Sequence, residues 1–93
     1  MIIFQIAGFL TDFTGGQKEI PLPASPATVG EALDELWKLH RGLQDRIVNE
    51  RGQIRPHVNI FVNADNIRLK ELLATPLSDH SEITILPAVS GGR

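Results

Sequence analysis

The stretch that most constrains this chain is Ile83-Thr84-Ile85-Leu86-Pro87, which runs into Ala88-Val89-Ser90-Gly91-Gly92-Arg93. Ile83 to Leu86 supply the β-branched and apolar side chains of a buried strand, and Pro87 then withdraws a backbone donor and closes the pairing. Beyond Pro87 there is almost no side-chain surface to bury. Two adjacent glycines have no Cβ, so their backbone can enter a channel too narrow for side chains. The expectation is a folded domain over residues 1–87 and a flexible tail over 88–93, shaped for insertion into another molecule. A frayed terminus has the same composition, so the tail alone does not separate the two readings.

The rest of the chain limits what that tail can serve. With 93 residues there is one domain and a modest core. A net charge of -2 with no basic cluster gives no electrostatic footprint for nucleic acid. The absence of cysteine excludes a disulfide framework, a thiol nucleophile and thiolate metal ligands, so any sulfur chemistry must use borrowed sulfur. No stretch approaches the roughly 20 apolar residues of a membrane span, and the N-terminus lacks the basic region of a leader. No membrane partner is expected, and a cytoplasmic location is.

Ile2, Phe4 and Ile6 alternate with Ile3, Gln5 and Ala7, the period of a strand with one buried face. A loop from Gly8 to Gln17 returns the chain through Gly15-Gly16 to a second strand, Lys18 to Leu22, which Pro21 and Pro23 push to a sheet edge. Thr28-Val29-Gly30-Glu31 fits a capping box. The helix it opens places Val29, Leu33, Leu36 and His40 on one face, with Gly42 positioned to cap its end. Leu43, Ile47 and Val48 suggest a further helical turn, and residues 49–53 a surface loop. Val58, Ile60 and Val62 mark a core strand, residues 63–66 a turn, and Ile67 to Lys70 a short strand. Leu72, Leu73 and Leu77 are expected to tuck under the sheet. The order strand, strand, helix, strand, short strand, strand gives an α+β, β-grasp (ubiquitin-like) plan. It has a mixed sheet, one main crossover helix, a central last strand parallel to the first, and a protruding C-terminal tail.

Catalytic chemistry fails on inventory. His40, His57 and His80 lie on different elements without a ligand spacing, so neither a metal site nor a bound cofactor is expected. Ser25, Ser78, Ser81 and Ser90 lack a nucleophile elbow. Gly15-Gly16-Gln17-Lys18 is not followed by Ser or Thr and opens no helix, which argues against a phosphate loop. Asp34 and Glu35 read as solvated helix charge.

The pattern Val58-Asn59-Ile60-Phe61-Val62-Asn63, then Ile67-Arg68, the 73–79 loop and above all Ile83 through Gly92 resembles the MoaD/ThiS-type ubiquitin-like sulfur carriers. These include the small subunit of molybdopterin synthase and the thiamine-pathway carrier. The Thr14-Gly15-Gly16-Gln17-Lys18 turn and the Ile85-Leu86-Pro87-Ala88-Val89-Ser90-Gly91-Gly92 ending look most like the carrier of the thiocarboxylate-dependent cysteine route. The resemblance implies a carrier, not an enzyme. An E1-like enzyme would use ATP to adenylate the Gly92 carboxylate, sulfur would displace AMP to leave a thiocarboxylate, and a sulfur-accepting synthase would bind the loaded tail. Recognition of the tail would fall on Pro87, Ala88, Val89, Ser90 and Gly91.

Arg93 departs from that pattern, because it keeps the Gly92 carboxyl in a peptide bond. The resemblance then implies a precursor whose Gly92-Arg93 bond a JAMM-type metalloprotease cleaves. By strand parity Phe61 and Leu86 share the outer sheet face and form a patch for docking the partner. A ubiquitin-like modifier that forms isopeptide bonds through Gly92, a molybdopterin synthase small subunit, and a β-grasp interaction module with an inert tail remain as alternatives.

Overall fold

The computed structural model describes residues 1–23 and 25–87. The expectations placed on Ala88, Val89, Ser90, Gly91, Gly92 and Arg93 lie outside the described residues.

The N-terminal alternation produces β1 (Ile2–Ile6), with Ile2, Phe4 and Ile6 buried and Ile3 and Gln5 half-buried. Where a plain loop was expected, Gly8–Phe13 forms a 3-10 helix. Its turns are closed by threonines: Thr11 Oγ1 donates to the Gly8 carbonyl at 3.1 Å, and Thr14 Oγ1 to those of Thr11 and Gln17. Such local hydroxyl bonds offer the backbone a turn that no periodicity announces. Gly15 and Gly16 adopt the positive φ that the return requires, 67° and 87°.

Strand β2 (Glu19–Leu22) pairs antiparallel with β1 at the sheet edge. The Ile6 amide donates to the Lys18 carbonyl, so Lys18, Ile20 and Leu22 direct their backbone groups at β1. The missing amide of Pro21 therefore falls on the free edge, where its loss leaves the ladder intact.

Helix α1 (Val29–Leu39) is capped by Thr28, whose side chain accepts from the Glu31 amide. Glu31 reaches back to the amide of Ala27, one position before the cap. Val29, Ala32, Leu33, Leu36 and Trp37 form its buried face. His40 is not on that face; it is the half-buried residue at which α1 ends, with φ -140° and ψ 81°. Gly42 is not a cap either, but lies inside α2 (Arg41–Ile47). A methyl group there would lie 3.4 Å from Phe13 Cδ1, an ordinary van der Waals contact where α2 meets the 3-10 helix. The Arg46 guanidinium lies 4.7 Å from the centre of the same Phe13 ring.

Strand β3 (Val58–Val62) buries the three expected valine and isoleucine side chains. Asn63, at φ 55°, turns the chain into the two-residue β4 (Asp65–Asn66). The expected strand over Ile67 to Lys70 is instead a 3-10 helix, Ile67–Leu69, because Asn66 Oδ1 accepts from the Arg68 amide and caps a turn there. Leu73 and Leu77 pack on the core, but Leu72 does not; it is half exposed, with φ 53°.

Strand β5 (Glu82–Pro87) closes the sheet in the order β2-β1-β5-β3-β4, parallel to β1 and antiparallel to β3. Ile83 and Ile85 are fully buried between their neighbours. The result is the mixed-sheet β-grasp plan, in which the last strand is the central one.

Candidate functional site: an open sheet face and the root of the tail

Alternation along each strand decides what the sheet shows on the side away from α1. Ile3 and Gln5 on β1, Thr84 and Leu86 on β5, and Asn59 and Phe61 on β3 share that face, all half-buried. In the β3-β5 register Phe61 faces Thr84 and Asn59 faces Leu86, which makes Phe61 and Leu86 diagonal neighbours. Diagonal pairs in an antiparallel ladder lie about 7–8 Å apart, within reach of an aromatic ring. The two residues singled out by parity thus share one face, and Leu86 immediately precedes the last described residue, Pro87.

Beside them lies a polar arrangement that sequence reasoning missed. Gln5 Nε2 donates to Glu19 Oε2 at 2.9 Å and to Glu82 Oε2 at 3.2 Å, bridging carboxylates from β2 and β5. Parity put Gln5 on this face, but its partners depend on which strands become neighbours. On the far side, Arg68 Nη2 donates to the carbonyls of Arg55 and Val58, tying the segment after β4 to the start of β3.

The root of the tail is held from the β1 side. The Ala7 amide donates to the Ile85 carbonyl at 3.1 Å, and a methyl group on Gly8 would stand only 3.0 Å from Pro87 Cγ. Phe9, the next residue, is 52% exposed. Neither Gly8 nor Phe9 was marked by the sequence, because both lie in a stretch without strand or helix period.

The remaining candidates stay apart. His57 and His80 are exposed on segments outside the helices and strands, and among the described residues no group of three or more His, Asp or Glu side chains could hold a metal ion. Glu35 pairs with Lys38 at 3.0 Å on the wet face of α1, an exposed contact of small energetic weight. A groove of about 380 Å³ runs beside the 52–54 turn, with Ile54, Arg68, Leu72 and Leu73 in its walls. Among the described residues no helix is long and apolar enough to cross a membrane.

Comparison with known proteins gives a family model, described as the ThiS family, that matches residues 4–92. The sulfur carrier protein CysO of Mycobacterium tuberculosis is 36% identical over 93 residues, covering 98% of each chain. Small archaeal modifier protein 1 of Haloferax volcanii is 39% identical over 66 residues, 71% of each chain. The crystal structure of the BexX/CysO complex of Amycolatopsis orientalis contains a chain that superposes with a TM-score of 0.88 at 34% identity. That match covers 99% of this chain and 100% of the other.

Proposed function

This chain belongs to the ThiS family, and on that premise we propose that it is a sulfur carrier protein whose working group is the carboxyl of Gly92. The observation that carries the proposal is the placement of β5. The central strand of the sheet ends at Pro87 beside the open face bearing Phe61 and Leu86, and Gly91-Gly92 follow a few residues later in the sequence. A rigid body and a docking face thereby precede a backbone slim enough for a narrow site.

In the proposed cycle an E1-like enzyme binds the open face and takes the tail into its ATP site. A Gly92 carboxylate oxygen attacks the α-phosphate and pyrophosphate leaves. A sulfide donor supplied by the partner then displaces AMP, and the chain leaves with a thiocarboxylate. Activation is needed because a carboxylate has no competent leaving group of its own. A sulfur-accepting synthase takes the sulfur, with a cysteine or related amino-acid route favoured by the likeness to CysO. The relative crystallised with BexX supports a stable complex with a partner as part of such a cycle.

Arg93 must leave first. While Gly92 is acylated onto Arg93 it has no carboxylate to adenylate, and a JAMM-type protease is the proposed means of cleaving that bond. The test is ATP-pyrophosphate exchange with the E1-like enzyme. Exchange is expected with chains cleaved at Gly92-Arg93 and not with uncleaved ones, whereas equal exchange by both forms, or by neither, contradicts the proposal. The likeness to a small archaeal modifier favours a second use of the same carboxyl, as an isopeptide to a lysine of another protein. That use would appear as a ladder of higher-mass species stable to reducing agent and hydroxylamine.

A further inference from the structure

We propose that the open sheet face selects a partner surface that carries a basic side chain. Glu19 and Glu82, held on either side of the Gln5 amide, receive a guanidinium or ammonium group of the E1-like enzyme, while Phe61 and Leu86 meet its apolar surface. This rests on the reading above that the enzyme docks on this face.

Strand order and register build the arrangement. Glu19 stands opposite Gln5, Gln5 opposite Thr84, and Thr84 opposite Phe61. One row of outward residues thus runs from edge strand β2 through β1 and β5 to β3, and changes from carboxylate to amide to hydroxyl to aromatic ring. Glu82 joins the acidic end two residues back along β5, and Leu86 the apolar end two residues on. At about 4.8 Å per strand, Phe61 lies roughly 10 Å across the face from Gln5, so one partner surface can cover both ends.

The acidic end is uncompensated. Gln5 Nε2 donates to both carboxylates, at 2.9 and 3.2 Å, so two like charges are joined through a neutral amide. Among the described residues neither carboxylate pairs with a cation; the ion pair found there is Lys38 with Glu35, on α1. No outward strand position among them is Lys or Arg. Lys18 has the parity of the buried Ile20 and Leu22, and the Met1 ammonium is bound to the Asp79 carbonyl. The whole chain is nearly balanced, with 9 Lys and Arg against 11 Asp and Glu, yet the charge on this face is of one sign.

That sign decides among occupants. A second copy laid face to face would set the same carboxylates against each other with nothing to neutralise them, and a polyanion such as nucleic acid would be repelled. A basic side chain gains from both carboxylates at once. Because Gln5 already holds them, little rotamer freedom is lost on binding. A guanidinium suits the pair best, since its fork of donors can reach two acceptors.

The test measures binding of the full chain to the E1-like enzyme by titration calorimetry, alongside ATP-pyrophosphate exchange with chains cleaved at Gly92-Arg93. The Glu19→Gln, Glu82→Gln double variant keeps an acceptor oxygen for each Gln5 bond and should melt at the parent temperature. Its Kd is expected to rise about tenfold at low ionic strength, with kcat for exchange within about twofold. The gap should close to about twofold or less near about 0.5 M salt, where the charges are screened. Glu19→Lys with Glu82→Lys should weaken binding by about a hundredfold or more. Equal Kd for parent and glutamine variant at low salt, or a gap that salt leaves unchanged, overturns the proposal. So does tighter binding by the lysine variant. If the double variant unfolds, the single variants are read by the same salt criterion. Charge-dependent binding without exchange by the cleaved parent would defeat the carrier reading and leave the docking chemistry standing. Full exchange by both parent and glutamine variant at low salt does the reverse, and absence of any binding by the parent overturns both.

Discussion

The two faces of the sheet are made by the same strands and differ only in parity, yet they differ sharply in burial. Toward α1, Phe4, Ile60, Ile83 and Ile85 are at most 1% exposed and contribute to one contiguous core. On the other side Gln5, Phe61, Thr84 and Leu86 are half-buried, and among the described residues no helix covers them. A face that must exclude water is uniformly apolar, whereas a face that meets a partner can alternate apolar and hydrogen-bonding groups. On the proposed carrier reading, the difference separates residues whose loss unfolds the protein from those whose loss leaves it folded and uncoupled from its partner.

The largest expected effect falls on the closed face. Phe4→Ala should cost about 3–5 kcal/mol in denaturant unfolding, as a fully buried ring lost from a packed core does. Phe61→Ala should cost under about 1 kcal/mol. Comparable losses for the two would show that Phe61 is as much part of the core as Phe4. Next in size, Phe61→Asp and Leu86→Asp should raise KM for ATP-pyrophosphate exchange by about tenfold or more, the scale of an interface anchor, while the melting temperature shifts little. A collapsed fold in either variant would mean that the open face is part of the core.

Smaller effects sharpen the picture away from the sheet. Thr28→Ala removes the α1 cap and should lower stability by about 1 kcal/mol with no change in exchange kinetics, measured on the same samples. The smallest change concerns the sheet edge. Pro21→Thr should restore a donor on the free side of β2 and promote weak self-association, visible as concentration-dependent light scattering. A variant that stays as monomeric as the parent would show that Pro21 does not guard that edge.

Much of this architecture was legible in the residues. Period-two alternation at Ile2-Phe4-Ile6 and Val58-Ile60-Val62 placed the core strands, the Thr28 and Glu31 pair placed the start of α1, and the apolar run at Ile83 placed the central strand. What escaped was set by short-range hydrogen bonds or by tertiary contact. Asn66 capping a turn converted the expected strand at Ile67 into a 3-10 helix. Gly42 reads as a helix stop, but α1 already ends at His40 and Gly42 lies inside α2. The shared face of Phe61 and Leu86 followed from parity, whereas the close approach of Gly8 to Pro87 did not, because nothing in a loop sequence says which strand end will lie against it. Leu72 was assigned to the core on hydrophobicity alone, and its backbone at φ 53° turns it outward.

The central claim, that this fold presents Gly92 for conversion to a thiocarboxylate, is tested most directly by the intact mass of the protein isolated from its own cells. The account predicts a species that ends at Gly92 and has one oxygen exchanged for sulfur, with the exchange localised to Gly92 by fragmentation. A sulfur-loaded species that still carries Arg93 would contradict the order of cleavage before activation. A protein found only with Gly92 and Arg93 joined and no sulfur at its terminus, under conditions where its partners are active, would contradict the claim itself.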